Sequence, residues 1–393
     1  MGFIFTSPKK EKIVVIFDIG SGSVGGAIVK ISKDGIGIPV ILKNVRNEIK
    51  FQKEFDFDVF MKDMTLALDL TANDLYNMKV VAPDEIYCVL ASPWYLSETR
   101  SVKMAKDKSF TFTKRLVNEL IEKEISNLTQ LYKDKYNNLE STPQLIEQHT
   151  MAVFLNGYGI EDPIGKKCQF LEMNMVISLA PKLCLEKIRE TLLKTFHNTN
   201  VSFSTFTVST YFAVRDKYIT LDSYLLLDIS GEITDVGIVT RGVLKSVLSF
   251  PFGKKTFFKY MCTKLEIELR DAVELFRMYN ENSLTDEYKA KVIPLLKSIE
   301  NSWGESFNEC INTLPRTLML PDTIFLTTDN DIKKWFTEIL RNGDYIQSTS
   351  NDHKGTVVTL DGPDFLNMCN VSEGICDPFL MIESIAITRK IVK

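Results

Sequence analysis

Ile13-Val14-Val15-Ile16-Phe17-Asp18-Ile19-Gly20-Ser21-Gly22-Ser23-Val24-Gly25-Gly26-Ala27-Ile28-Val29 is the stretch that decides the fold. An apolar, β-branched run ends in an aspartate, a glycine and serine turn follows, and strand composition returns. The pattern predicts strand, turn, strand. A second copy runs from Tyr224 to Val239: Tyr224-Leu225-Leu226-Leu227-Asp228, a turn through Ser230-Gly231-Glu232, then Thr234-Asp235-Val236-Gly237-Ile238-Val239. A gap-free slide of 210 residues superposes Asp18 on Asp228, Ile19 on Ile229, Ile28 on Ile238 and Val29 on Val239. The chain reads as two duplicated halves.

Gly20 to Gly25 also satisfies G-x-G-x-x-G. A dinucleotide site needs a helix directly after those glycines, because the pyrophosphate rests on the helix N-terminus. Ala27-Ile28-Val29-Lys30-Ile31 favours strand instead. A kinase glycine loop fails for want of H-R-D and D-F-G, and no P-loop pattern exists. What remains is a pair of Asp-led hairpins whose small residues leave backbone N–H groups able to approach phosphate oxygens. Phosphate contacts are expected from Gly20, Ser21, Gly22 and Ser23 on one turn and Ser230, Gly231 and Glu232 on the other. Asp18 and Asp228 would hold a magnesium ion through its waters. The bland alternative is an ordinary hairpin with a capping Asp, which two matched copies make less attractive.

The 393 residues are 45% hydrophobic and 25% charged, with a net charge of -4, so no basic field points to nucleic acid. Seven cysteines without a C-x-x-C pair fit reduced thiols rather than a disulfide framework, and three histidines make a zinc site a poor reading. No apolar run reaches the roughly 20 residues that cross a bilayer, so a cytoplasmic chain is expected. Met1-Gly2-Phe3-Ile4-Phe5-Thr6 matches a Gly2/Thr6 myristoylation pattern ahead of Lys9, Lys10 and Lys12, although a disordered tail explains it as well.

Thr113 to Tyr136 carries an amphipathic helical stripe, and His149–Leu155 and Phe170–Leu179 read as strands around a Gly/Pro loop. A small α/β unit is therefore expected within the first half. Helices are predicted over Lys182–Phe196, Thr256–Tyr279, Asp286–Leu314 and Ile332–Leu340. Thr323–Leu326 reads as a strand, and Thr327 to Asp331 as a polar turn.

On these residues the chain resembles the actin-like ATPase superfamily. IFDIGSGSVGGAIV is similar to its first phosphate motif and LLDISGEITDVGIV to its second, departing from D-I-G-G-G-T-T-D at Ser230, Glu232 and Ile233. Asp84–Arg100 and Met151–Pro181 resemble the inserted segment of the FtsA and PilM proteins, and Phe250–Gly253 with Arg270–Leu284 their fourth subdomain. The resemblance implies an α/β, duplicated, ribonuclease H-like two-lobed fold with an inserted subdomain. It divides the chain into residues 1–83 (lobe one, first part), 84–166 (insertion), 167–204 (lobe one, second part) and 205–393 (lobe two).

The resemblance also implies ATP or ADP with Mg in the cleft. Two departures bear on that. The family's adenosine motif has paired glycines where this chain has Thr327-Thr328-Asp329, so nucleotide binds weakly, in an altered pose through those three side chains, or not at all. The stretch where relatives place a water-orienting carboxylate or amide, Phe206 to Phe212, offers only hydroxyls, which are poor bases at neutral pH. Glu232 is the remaining catalytic candidate, so at most a slow ATPase is expected.

FtsA ends in a membrane helix; this chain stops at Ile387-Thr388-Arg389-Lys390-Ile391-Val392-Lys393, which favours the PilM-like arrangement. The resemblance then implies a cytoplasmic scaffold at the inner face of the membrane. Its partner would be a membrane protein's cytoplasmic tail, with Trp94 and Tyr95 lining the groove or, alternatively, packing in the core. The competing expectations are an FtsA-like division protein, which self-assembles and binds a tubulin-like partner, and a phosphotransferase.

Overall fold

The computed structural model describes residues 11–33, 37–79, 82–135, 142–197, 199–315, 318–343 and 355–392. In chain order the elements begin with strands β1 (Glu11–Ile19), β2 (Ser23–Ser32) and β3 (Val40–Glu48), helix α1 (Phe57–Asn77) and strand β4 (Glu85–Leu90). Then come β5 (Leu96–Thr111), α2 (Lys114–Lys135), β6 (Pro143–Leu155), β7 (Tyr158–Gly159), β8 (Lys167–Pro181), α3 (Lys182–Thr195), β9 (Val201–Thr205) and α4 (Phe206–Lys217). The second half holds β10 (Tyr224–Ile229), β11 (Thr234–Thr240), β12 (Val243–Phe250), α5 (Lys254–Leu265), α6 (Leu269–Asn280) and α7 (Asp286–Ile311). It ends with β13 (Thr323–Thr328), α8 (Asn330–Asn342), β14 (Thr356–Thr359), a 3-10 turn (Gly362–Phe365), β15 (Asn370–Val371) and α9 (Pro378–Val392).

Two compact units form. The first takes residues 1–90, 187–217 and 360–393, the second residues 91–186 and 218–359. The first is built on a sheet of order β15-β3-β2-β1-β4-β9, the second on β12-β11-β10-β13-β14. β15 aside, the two orders coincide, with the hairpin pairs antiparallel and β4 and β13 added in parallel.

The duplication holds to the residue. Asp18 pairs with Gly25 and Asp228 with Asp235; Ile19 pairs with Val24 and Ile229 with Thr234, all separated by the same 210 positions. Even the irregularity repeats, falling between Ile28 and Val29 in one sheet and Ile238 and Val239 in the other. Tyr224 to Ile229 is buried at every residue, which is why this strand reads as a continuous apolar run rather than an alternating one.

In the first unit α1 starts at Asp56, whose carboxylate accepts from Val59 N (2.9 Å). The helix buries Phe60, Met64, Ala67, Leu68, Thr71 and Leu75 along one face. Close approach to β2 depends on Gly26, where a Cβ would lie 2.7 Å from both Leu75 and Thr71.

In the second unit the inserted segment makes its own sheet, β5-β8-β6-β7, covered by α2 through Leu120, Ile121, Leu128 and Tyr132. It meets the β12 edge, where Thr99 Oγ1 donates to Lys245 O at 2.6 Å. One helix expected from sequence is two. α5 ends where Glu266 turns left-handed (φ 55°), and α6 restarts after Glu268. Asn and Gly are the residues that normally announce such an end, so a glutamate there gives no warning. Thr327 and Thr328, expected in a turn, complete strand β13.

Candidate functional site

In the first hairpin the turn closes with Gly20 N donating to Ser23 O (3.1 Å), while Gly22 O accepts from Ile49 N (2.9 Å). Ser21 is fully buried. Asp18 stands at the end of β1 with only 3% of its surface exposed. Its carboxylate faces a side chain that sequence reading did not single out: Arg46 Nη2 lies 2.8 Å from Asp18 Oδ2.

Register explains how. Asp18 is the cross-strand partner of Gly25, and Gly25 is the partner of Arg46, so the three form one row across β1, β2 and β3 on a shared face. A Cβ on Gly25 would fall 2.6 Å from Arg46 Nη2 and 2.9 Å from its Cζ. The last glycine of the motif therefore makes room for a guanidinium. Arg46 is held from three further sides. Nη1 donates to Ser23 Oγ (2.9 Å), Nε donates to Asp377 Oδ2 (2.8 Å), and the Phe379 ring lies 5.1 Å from its Cζ.

Glu383 on α9 completes the cluster and has no exposed surface. Burial, and then the neighbouring Asp18 charge, push its carboxyl well above the usual range. Burial also raises the Asp18 carboxyl, against the opposing pull of Arg46.

In the second hairpin Ser230 N donates to Ile233 O at 3.1 Å, the counterpart of the bond in the first turn. The turn carbonyls are spoken for. Lys254 N donates to Ser230 O (2.8 Å) and Lys255 N to Gly231 O (2.7 Å), so the start of α5 is capped by the turn rather than by a side chain. Gly253 permits this, since a Cβ there would lie 2.5 Å from Ser230 O and 2.6 Å from Gly231 O.

Asp228 accepts from Thr327 Oγ1 (2.8 Å), and Thr328 Oγ1 donates to Ile229 O (2.9 Å). Both threonines, expected to face a ribose, are buried and turned back onto β10. Asp329, the third of that set, pairs with Lys254 (2.9 Å), which also reaches Asp331 (2.8 Å). Glu232, the catalytic candidate, is 9% exposed and pairs with Lys259 at 3.1 Å. The row matching Asp18, Gly25 and Arg46 reads Asp228, Asp235 and Ser249. Here no arginine intervenes. Asp235 instead receives Ser92 Oγ (2.6 Å) and Ser92 N (3.3 Å), and burial pushes its carboxyl up to about 6 despite both bonds.

At the expected water-orienting stretch of α4 two hydroxyls bond backward to carbonyls four residues earlier. Ser209 donates to Thr205 O and Thr210 to Phe206 O, each at 2.9 Å. Trp94 (1% exposed) and Tyr95 (8%) lie in the interior, so they serve packing rather than a solvent-facing groove. The Gly2–Thr6 pattern lies outside the described residues.

The residues present do not fit a magnesium-bound nucleotide held as the sequence suggested. The Asp18 cation seat carries a guanidinium, and the Thr327 and Thr328 hydroxyls are committed to β10. No group of three or more His, Cys, Asp or Glu side chains suited to a metal ion occurs among the described residues. Sequence reading missed Arg46, Glu383, Ser92, Lys254 and Lys259. Only Lys254 carried a local signal, standing directly after a glycine where a helix begins.

No family model matches the sequence, and no curated protein matches it. Solved structures do. The PilM-PilN type IV pilus biogenesis complex aligns over 97% of this chain and 98% of that chain, with a TM-score of 0.60 at 12% identity. The ethanolamine utilization protein EutJ from Carboxydothermus hydrogenoformans covers 97% of this chain and 90% of its own at TM-score 0.44 and 9% identity. The activator of the 2-hydroxyisocaproyl-CoA dehydratase from Clostridium difficile, solved with bound ADPNP, covers 97% and 98% at TM-score 0.40 and 9% identity. Two sheets of matching order, hairpins in one register and full-length likeness to the PilM structure establish that this chain has the actin-like fold in a PilM-like form.

Proposed function

We propose that this protein is an actin-fold adaptor of PilM-like type, which couples a cytoplasmic assembly to a membrane partner and hydrolyses ATP slowly or not at all. The observation that carries the second half of this reading is the internal satisfaction of both hairpin aspartates, Asp18 by Arg46 and Asp228 by Thr327. Each engagement occupies one carboxylate oxygen, Asp18 Oδ2 and Asp228 Oδ1, that would otherwise accept from the waters of a metal ion. Supporting it, Ser209 and Thr210 on α4 are back-bonded and Glu232 is held by Lys259, so the groups expected to orient the attacking water are engaged elsewhere.

The adaptor half rests on likeness in fold to a protein solved together with PilN. Among the described residues no helix is long and apolar enough to cross a membrane. Membrane attachment in this reading comes from the partner's tail, with the chain on the cytoplasmic side.

Three measurements on the full chain test it together: phosphate release with magnesium ATP, pelleting with the same nucleotide, and capture of membrane-protein cytoplasmic tails on a peptide array. The expected result is no sustained phosphate release, no filaments, and saturable binding of one tail. Filaments without tail binding would establish the FtsA-like alternative. Multiple-turnover phosphate release that Asp228→Ala abolishes would overturn the slow or absent hydrolysis.

A further inference from the structure

The row Asp18, Gly25, Arg46 places a fixed positive charge where the sequence leads one to expect a hydrated metal ion. Three features make this a built arrangement rather than a surface ion pair. The carboxylate is almost wholly buried, and the guanidinium keeps a quarter of its side-chain surface exposed. Gly25 supplies a gap that any larger residue would close onto Nη2 and Cζ. Ser23 and Asp377 then fix the orientation of the same guanidinium through Nη1 and Nε.

A hydrated magnesium ion and a guanidinium make opposing demands on an aspartate. Magnesium keeps several waters in an octahedral shell and needs carboxylate lone pairs turned toward them. A guanidinium takes those lone pairs directly and does not give up its charge at any ordinary pH. Both cations cannot share Asp18 Oδ2, and Glu383 is packed against the same buried carboxylate, which leaves little room for a hydrated ion. The second hairpin has no such residue, since Ser249 stands in the row position that Arg46 occupies in the first.

We propose that Arg46 is a built-in replacement for the divalent cation at the first hairpin, so that this chain takes no magnesium or manganese at Asp18. Arg46 supplies a permanent positive charge that Asp18 shares with Asp377. Metal ions then have no part in organising this turn, whichever partner the chain serves. The inference does not depend on the adaptor reading.

Manganese alone is the probe, titrated against the full chain and followed by electron paramagnetic resonance of the free ion. Wild type and Asp18→Asn are expected to give superimposable isotherms, because Asp18 holds no metal in either. Arg46→Met, with folding checked by circular dichroism, is expected to gain a manganese site at least tenfold tighter than anything in wild type. The double variant Arg46→Met/Asp18→Asn is expected to lose it. A manganese site in wild type that Asp18→Asn removes would overturn the proposal, and so would a folded Arg46→Met chain that gains no affinity. Should Arg46→Met fail to fold, the comparison of wild type with Asp18→Asn decides the matter alone. Failure of either arm leaves the tail-capture result and the adaptor half of the proposed function untouched, whereas the slow-hydrolysis half shares the Asp18–Arg46 pair and is read separately by phosphate release.

Discussion

Asp235→Asn in the second hairpin should change stability relative to wild type by an amount that depends on pH. Asp235 is 3% exposed and its carboxyl is raised from 3.8 to about 6 by burial, with Ser92 pulling the other way. That rise corresponds to about 3 kcal/mol of stability linked to the proton, at roughly 1.36 kcal/mol per tenfold change. Because folding raises the pKa, the folded chain holds the proton more tightly than the unfolded one. The stabilisation is complete below about pH 4 and is lost as pH rises through about 6. Between pH 4.5 and 8 wild type should lose about 2 kcal/mol from this one group.

Asparagine removes the titration and keeps the pattern of the neutral acid, its Oδ1 accepting from Ser92 N while its NH₂ donates to the Ser92 hydroxyl. The variant should therefore gain about 2 kcal/mol on wild type between pH 4.5 and pH 8, because only wild type loses the proton-linked stability. Urea unfolding followed by tryptophan fluorescence is the assay. All three tryptophans, Trp94, Trp303 and Trp335, lie in the second unit with Asp235, so the signal reports that unit. A stability difference between wild type and variant that stays constant within about 0.5 kcal/mol from pH 4.5 to 8 would refute the raised carboxyl.

Gly253→Ala should destabilise the second unit by about 1–3 kcal/mol, because its methyl group meets two turn carbonyls that cannot move independently of α5; the urea midpoint reads this. Thr327→Val keeps shape but strips Asp228 of a buried donor, and should cost about 1–3 kcal/mol. Unchanged stability together with weakened ADP binding in a titration calorimeter would instead restore Thr327 to the ribose. Trp94→Ala should cost about 3–5 kcal/mol as a core truncation. A wild-type unfolding midpoint with lost tail binding would place Trp94 in the partner groove after all.

The aspartate-led hairpins and the gap-free 210-residue repeat were readable from the sequence, because each rests on local patterning; the bounds of the inserted segment were not, since β4 joins the first sheet and β8 the segment's own. A continuous apolar strand, a glycine turn and a helical stripe announce themselves within a dozen residues. Cross-strand register was not legible in strands buried on both faces, which carry no two-residue alternation, but the 210-residue repeat set the two aspartates at matching positions. Hence Asp18 and Asp228 fell at equivalent strand ends, as expected.

What those aspartates touch was not legible. Arg46 sits in Val40–Glu48, a strand whose half-polar sequence gives no sign that one cation crosses Gly25 to reach β1. Asp377 and Glu383 come from the far end of the chain, more than 300 residues away, and meet Arg46 and Asp18 only because α9 packs back onto the first sheet. Likewise Ser92 reaches Asp235 across 143 residues. Local sequence sets which elements form and where their turns lie. The partner of a buried charge is chosen by whichever side chain the packed sheets bring within about 3 Å. For this protein that choice put a guanidinium, rather than a waiting acceptor, at the end of β1.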